Sequence, residues 1–184
     1  MMFNFPRFCV LLLWVFVKVE GIESPQFTVI HTESDFEIRL YRESSWMSAP
    51  VQEISFVKAT KQGFHRLFQY IQGANLNSSR LRITAPVLTS IVPGAGPLHS
   101  SAYYVSHYVA VRKFSGFAMD SDVIKEAQSL AVSLEKSPWA NSTVSEEGKY
   151  AYSIAQYSSP FKLIGRVNEV WVDVVGPATE VGVE

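Results

Sequence analysis

The sequence predicts an α+β fold: a sheet or barrel with pseudo-twofold symmetry and one helix in each half. Three observations lead there. Segments with a residue period of two alternate with two segments whose apolar residues recur every three to four positions. The order strand, helix, strands occurs twice. Phe36-Glu37-Ile38-Arg39-Leu40-Tyr41 and Val109-Ala110-Val111-Arg112-Lys113-Phe114 also share one pattern: apolar, any, apolar, Arg, any, aromatic. Ala85-Pro86-Val87 after the first helix echoes Ser159-Pro160-Phe161 after the second.

Taken in order, Phe27 to Ile30 and Phe36 to Tyr41 read as strands around a Glu33-Ser34-Asp35 turn. In the second, Phe36, Ile38 and Leu40 alternate with Glu37, Arg39 and Tyr41, the pattern of a half-buried sheet. Trp46 to Val51 is a third strand candidate, with Pro50 placing its end at a sheet edge. Phe56, Ala59, Gly63, Phe64, Leu67, Phe68 and Ile71 form one helical stripe behind an N-cap at Ser55, and Gly73 ends that helix. A polar loop at Asn75 to Ser79 leads to a β-rich stretch from Leu81 to Ile91, broken by Pro86, and Pro93 to Pro97 is a turn. Tyr103 to Phe114 reads as one long strand. A second helix carries Val123, Ile124, Ala127, Leu130, Ala131 and Leu134 behind a cap at Asp120 or Ser121, and Ser137-Pro138 stops it. Tyr150 to Tyr157 and Glu169 to Val174 close the chain as strands, the latter setting Val170, Val172 and Val174 against Trp171 and Asp173.

With 47% hydrophobic and 18% charged residues, the 184-residue chain has the composition of a globular domain. Its net charge of −1 provides no basic field for nucleic acid. Arg7, the apolar run Phe8 to Val17 and Val19-Glu20-Gly21 read as a signal peptide, because about ten apolar residues are too few for a membrane span. The expected organisation is a leader at 1–21, a domain at 22–176 and a tail at 177–184. The protein is then expected in the secretory pathway and outside the cell, without stable membrane insertion. Asn77-Ser78-Ser79 and Asn141-Ser142-Thr143 match the N-glycosylation acceptor pattern, which fits that route. Cys9, the sole cysteine, lies in the leader, so the mature chain has no thiol for a disulfide, a metal or a nucleophile.

Phe56-Val57-Lys58-Ala59, Gly63-Phe64, Leu67-Phe68-Gln69-Tyr70-Ile71-Gln72-Gly73 and Ile83-Thr84-Ala85-Pro86-Val87 resemble the first half of a SOUL haem-binding domain. Val111 to Phe117, Ser159-Pro160-Phe161-Lys162 and Gly165-Arg166-Val167-Asn168-Glu169-Val170-Trp171 resemble its second half. The resemblance spans about Phe27 to Val174. It implies a distorted antiparallel β-barrel flanked by two helices, binding haem or another tetrapyrrole against an apolar surface that includes the first helix, without catalysis. Carried across, the binding positions are Lys61, Phe64, Phe68 and Lys162. The physics agrees with that assignment, since a porphyrin is a flat apolar plate with two carboxylates at one edge and needs an apolar floor beside cations.

Histidine is the usual axial ligand of haem iron, and the chain has four: His31, His65, His99 and His107. Leu40 stands where some animal members of that family have a histidine, and His65 lies about 100° round the helix from Phe64. The expected mode is therefore apolar contact and propionate pairing without a protein ligand to the metal. No Gly-x-Ser-x-Gly, His-Glu-x-x-His or phosphate-cradling glycine loop points to an enzyme. One departure from the family concerns the junction of the halves. Members separate the strand resembling Tyr103-Tyr104-Val105-Ser106 from the next by a long proline-containing connection, whereas here only His107-Tyr108 intervenes. An imperfect barrel with an open pocket rim is the expected consequence, and the rival reading is a protein-interaction or structural module with a compromised pocket.

Overall fold

A computed structural model describes residues 22–91, 107–143, 152–159 and 161–176. The leader, the Pro93 to Pro97 turn, Tyr103 to Ser106 and the tail fall outside the described residues. Eight elements follow one another: β1 (Phe27–Thr32), β2 (Glu37–Tyr41), α1 (Phe56–Ile71), β3 (Val87–Ile91), β4 (His107–Ser115), α2 (Asp120–Glu135), β5 (Tyr152–Gln156) and β6 (Val167–Val174). The strands form one antiparallel sheet in the order β1-β2-β4-β6-β5-β3. β1 and β2 are a hairpin closed where the Glu33 N–H donates to the Phe36 carbonyl at 2.9 Å.

The two copies of the Arg-containing pattern lie side by side at the centre, with Ile38 opposite Ala110 and Arg39 opposite Val109. Antiparallel pairing is what a twofold axis between the copies demands. Carried around the sheet, the same symmetry would pair β1 with β3. Instead the flanks of those strands meet only at Glu23 and Thr84, where the Ala85 N–H donates to the Glu23 carbonyl at 2.8 Å. Among the described residues the sheet is therefore open between β1 and β3: the α+β class holds, and the barrel is an imperfect, open one, as expected. Pro25 and Pro86 stand at this seam and offer no N–H to a ladder.

Both faces of the sheet are covered. One packs Ile38, Ala110, Ile154, Val170, Val172 and Val174 against Val123, Leu130 and Leu134 of α2. The other carries Tyr41, Val109, Val111, Ala155 and Trp171. Alternation along β2 thus holds, but the face expected in water is buried, with Arg39 and Tyr41 each 2% exposed. A buried guanidinium requires partners, and Arg39 has several. Nη1 donates to both Glu169 carboxylate oxygens at 3.1 and 3.2 Å and to the Tyr41 hydroxyl at 3.1 Å, and Nε donates to Glu37 at 2.8 Å. Glu169 also accepts from the Tyr157 hydroxyl at 2.7 Å and from Trp171 Nε1 at 2.8 Å. This cluster ties β2 to β6 across β4. Burial pushes the Tyr41 phenol up to about 12 and, with the Glu169 charge beside it, raises the Tyr157 phenol further. Burial alone would lower the Arg39 pKa, but the Glu169 charge together with the Tyr41 and Glu37 hydrogen bonds outweighs it and the guanidinium stays firmly protonated.

α2 starts at Asp120 rather than behind it, because Met119 is the N-cap and its N–H donates to Asp122 at 3.4 Å. The Asp120 carboxylate instead accepts from Ser55 Oγ at 3.0 Å and the Val57 N–H at 3.2 Å, which links the N-termini of both helices. α1 begins behind Ser55 as expected, the side chain accepting from the Lys58 N–H. It ends in a Schellman turn: the Gly73 N–H donates to Tyr70, the Ala74 N–H donates to Gln69, and Gly73 takes φ 115°. Ser55→Ala removes one cap acceptor and the hydroxyl bound to Asp120. It should lower stability by about 0.5–2 kcal/mol in urea denaturation; an unchanged midpoint would show that water replaces both contacts.

At the junctions one expectation changes, and the single strand through His107-Tyr108 holds over its described part. Trp46 to Val51 is not a strand but an irregular strap; its Val51 is buried and packs near Gly63. His107 and Tyr108 belong to β4, opposite Tyr41 and Leu40, so no hairpin turn forms at that dipeptide.

Candidate functional site

Of the long apolar stripe on α1, only Phe56 and Ala59 are buried. The helix is anchored by its first turn, Phe56 joining the α2-side core. Further along, Phe64, Leu67, Phe68 and Ile71 face a cavity of about 360 Å³. Its other walls are β3, the segment 82–86 leading into β3, the strap 44–51 and residues 23–25. The cavity therefore lies along the seam where the sheet fails to close. Thr60 and Thr89 hydroxyls meet at 3.2 Å and tie α1 to β3 across one wall.

Phe64 and Phe68 both line the cavity, their rings stacked with centroids 5.9 Å apart. Phe68 keeps 42% of its surface in solvent, an expensive arrangement for a phenyl ring with nothing to cover. The walls are mostly apolar, with Ser and Thr hydroxyls interspersed, and Glu23 and Arg82 are the charged residues among them. The volume lies toward the small end of the range for ligand clefts. A flat plate larger than the cleft would seat one edge and leave the other in water.

The structure does not bring the expected cations into the lining. Lys61 is exposed on α1 on the Phe68 side of the stripe, and Lys162 is exposed beyond β5. Arg82 is the residue that sequence reasoning missed; the alternation of Arg80-Leu81-Arg82-Ile83 leading to Pro86 was its available signal. Among the described residues, none of those lining the cavity is a histidine. His65 is exposed on α1, and His31 bonds Glu33 at 2.8 Å. His107 lines a much smaller adjoining cavity, 3.7 Å from Asp173, whose carboxyl is raised by burial. His99 lies outside the described residues. Among the described residues no group of three or more His, Cys, Asp and Glu gathers to hold a metal ion. The expected glycosylation acceptors Asn77 and Asn141 both have exposed side chains.

Comparison with known proteins gives the following. The profile of the family described as SOUL heme-binding protein matches residues 22–109 and 105–173. Heme-binding protein 2 of Homo sapiens is 30% identical over 167 residues, covering 74% of this chain and 77% of that protein; heme-binding protein 2 of Mus musculus matches to the same extent. Heme-binding protein 1 of Xenopus laevis is 26% identical over 162 residues, covering 74% of this chain and 82% of that protein. Since 74% of 184 residues is about 136, roughly 30 of the 167 positions aligned with the human protein have no counterpart here. The family profile itself breaks into two matches that overlap at 105–109, next to the short Ser106-His107 junction. The chain belongs to the SOUL family of heme-binding proteins.

Proposed function

We propose that this SOUL-family chain binds haem or a related tetrapyrrole without catalysis, for carriage, buffering or sensing, in the cleft between α1 and β3. The observation that supports the location is an apolar helical stripe left unburied by the fold and facing an open seam. Phe64, Phe68, Leu67 and Leu88 would cover a porphyrin face, and Arg82 would meet a carboxylate at the edge. Lys61 serves the rim from the solvent side of α1. Bound haem would supply a redox-active iron; the chain supplies apolar cover, orientation and counter-charge. Titrating the purified protein with haemin tests this: a shifted Soret band saturating at a fixed stoichiometry is expected. No shift would leave the interaction-module reading, which the open seam and shortened junction favour. Turnover of p-nitrophenyl esters would overturn the non-enzymatic part.

The cations contribute less than the apolar floor. Lys61→Ala and Lys162→Ala should each weaken haemin binding by no more than about 1 kcal/mol, with the loss shrinking as salt rises, because exposed ion pairs are weak and screened. Arg82→Ala should cost more than either. An equal cost for all three would remove Arg82 from its assigned role.

The chain is also proposed to enter the secretory pathway, losing residues 1–21 and carrying glycans at Asn77 and Asn141. Arg7 with the apolar run supports the first part, and the exposure of both acceptors supports the second. N-terminal sequencing from a eukaryotic host should start near Ile22, and peptide N-glycosidase should raise the gel mobility. An intact Met1 or an unchanged mobility would count against the respective part.

A further inference from the structure

Among the described residues, every glycine but one answers to the backbone or to a close neighbour. Gly73, Gly116 and Gly165 take positive φ, and a side chain at Gly176 would run into the Tyr108 ring. Gly63 has neither reason. It lies in the middle of α1, a 16-residue helix, and does not take positive φ. Beyond its chain neighbours and the helix backbone, a Cβ there would meet one heavy atom within 4 Å, Val51 Cγ2 at 3.5 Å. That is an ordinary van der Waals distance. The fold would therefore accept alanine and gain by it, because glycine is the least favourable residue in a helix interior after proline.

What the missing side chain does provide is room in the cleft. Gly63 lines the cavity, as do Thr60 one turn before it, Leu67 one turn after it and Val51 on the strap. The floor that α1 gives the cleft is stepped. Small residues, Ala59, Thr60 and Gly63, stand at the end of the helix that is anchored in the core, and Phe64, Leu67 and Phe68 follow toward the open end. Ala59 is 6% exposed and Phe68 42%, so the floor drops where the cleft runs into the molecule. Glycine is the residue that lets a ligand come up against the backbone itself.

We propose that Gly63 sets how far the edge of a flat ligand enters the α1–β3 cleft, and so how tightly a tetrapyrrole is held. The inference rests on the tetrapyrrole reading of this cleft. A porphyrin leaves its two carboxylates toward water and cations, so the edge that enters is the apolar one. At Gly63 that edge reaches the helix backbone beside Val51. A methyl group in that place would raise the floor and hold the plate outward, removing apolar contact along the whole entering edge. The glycine thus gives up helix stability in exchange for ligand contact.

Thermal unfolding without ligand and haemin titration, both on the wild type, Gly63→Ala, Gly63→Leu and Gln62→Ala, test this. Gly63→Ala should unfold on the order of 2–4 °C higher than the wild type. It should nevertheless bind haemin on the order of tenfold more weakly, because an added methyl group overfills the contact. Gly63→Leu should bind more weakly than Gly63→Ala, since its side chain occupies more of the cleft. Gln62→Ala changes an exposed neighbour on the same helix and should leave the affinity unchanged. Wild-type affinity in Gly63→Ala overturns the proposal, as nothing then approaches Gly63. A lowered unfolding temperature of Gly63→Ala also overturns it, because the fold itself would need the glycine, and so does an equal loss of affinity in Gln62→Ala. A wild type that ignores haemin removes the tetrapyrrole reading and this inference with it. A wild type that binds while Gly63→Ala binds equally removes this inference alone.

Discussion

Replacing Arg39 with leucine is expected to lower the unfolding free energy by about 3–5 kcal/mol, the cost of leaving a buried carboxylate without its cation. Glu169 would keep the Tyr157 hydroxyl and Trp171 Nε1 as donors but lose both guanidinium contacts. Removing both charges, as Arg39→Leu with Glu169→Leu, should recover much of that loss, because desolvating an ion pair costs about as much as the pair returns. Urea denaturation of the wild type, the two single variants and the double variant measures the coupling directly. A loss below about 1 kcal/mol for Arg39→Leu would mean that water reaches Glu169, and the cluster would not be the clamp between β2 and β6. The same cluster sets an alkaline limit. Tyr41 has a folded pKa of about 12, raised first by burial, against about 10 unfolded. Its contribution is therefore fully present below pH 10 and lost as the pH rises from about 10 to about 12. Tyr41→Phe should flatten that part of the stability curve.

The fold was legible where one residue period dominated. Val170, Val172 and Val174 of β6 pack on α2 while Trp171 turns to the other face, as alternation requires. Ser55 and Gly73 bracket α1 because their chemistry acts locally. What could not be read was which faces lie inside. Glu37, Arg39 and Tyr41 look like a solvent face in a hexapeptide, and only the arrival of Glu169, 130 positions later, makes that face a buried polar one. The α1 stripe erred in the opposite direction. Its spacing describes a core helix, yet whether Phe64 and Phe68 meet a sheet or a cleft depends on closure between β1 and β3, which no local pattern encodes. Phe64 and Phe68 were found through the family likeness and lie together at the cleft; Lys61 and Lys162 came from the same likeness and do not enter its lining. Arg82 escaped notice because the alternation of Arg80-Leu81-Arg82-Ile83 reads as an ordinary strand approach and carries no sign of the cleft it borders.

Phe64→Asp and Phe68→Asp are expected to weaken haemin binding on the order of ten- to hundredfold each. Covering a phenyl ring is worth about 1.5–3 kcal/mol, and a carboxylate in its place must be desolvated against an apolar plate. The substitutions differ usefully in their risk to the fold. Phe68 is half in solvent already and packs chiefly against Phe64, so its replacement should leave the far-ultraviolet dichroism and the urea midpoint nearly unchanged. Phe64 is more covered, so some loss of stability is expected with it. Phe68→Asp is thus the cleaner probe, and Phe68→Leu, which keeps apolar cover without the ring, should retain most of the affinity. Haemin titrations followed at the Soret band, with the dichroism measured on each variant, decide the matter. A folded Phe68→Asp that binds haemin as the wild type does would move the tetrapyrrole out of the α1–β3 cleft, while leaving intact the family membership that brought haem into question.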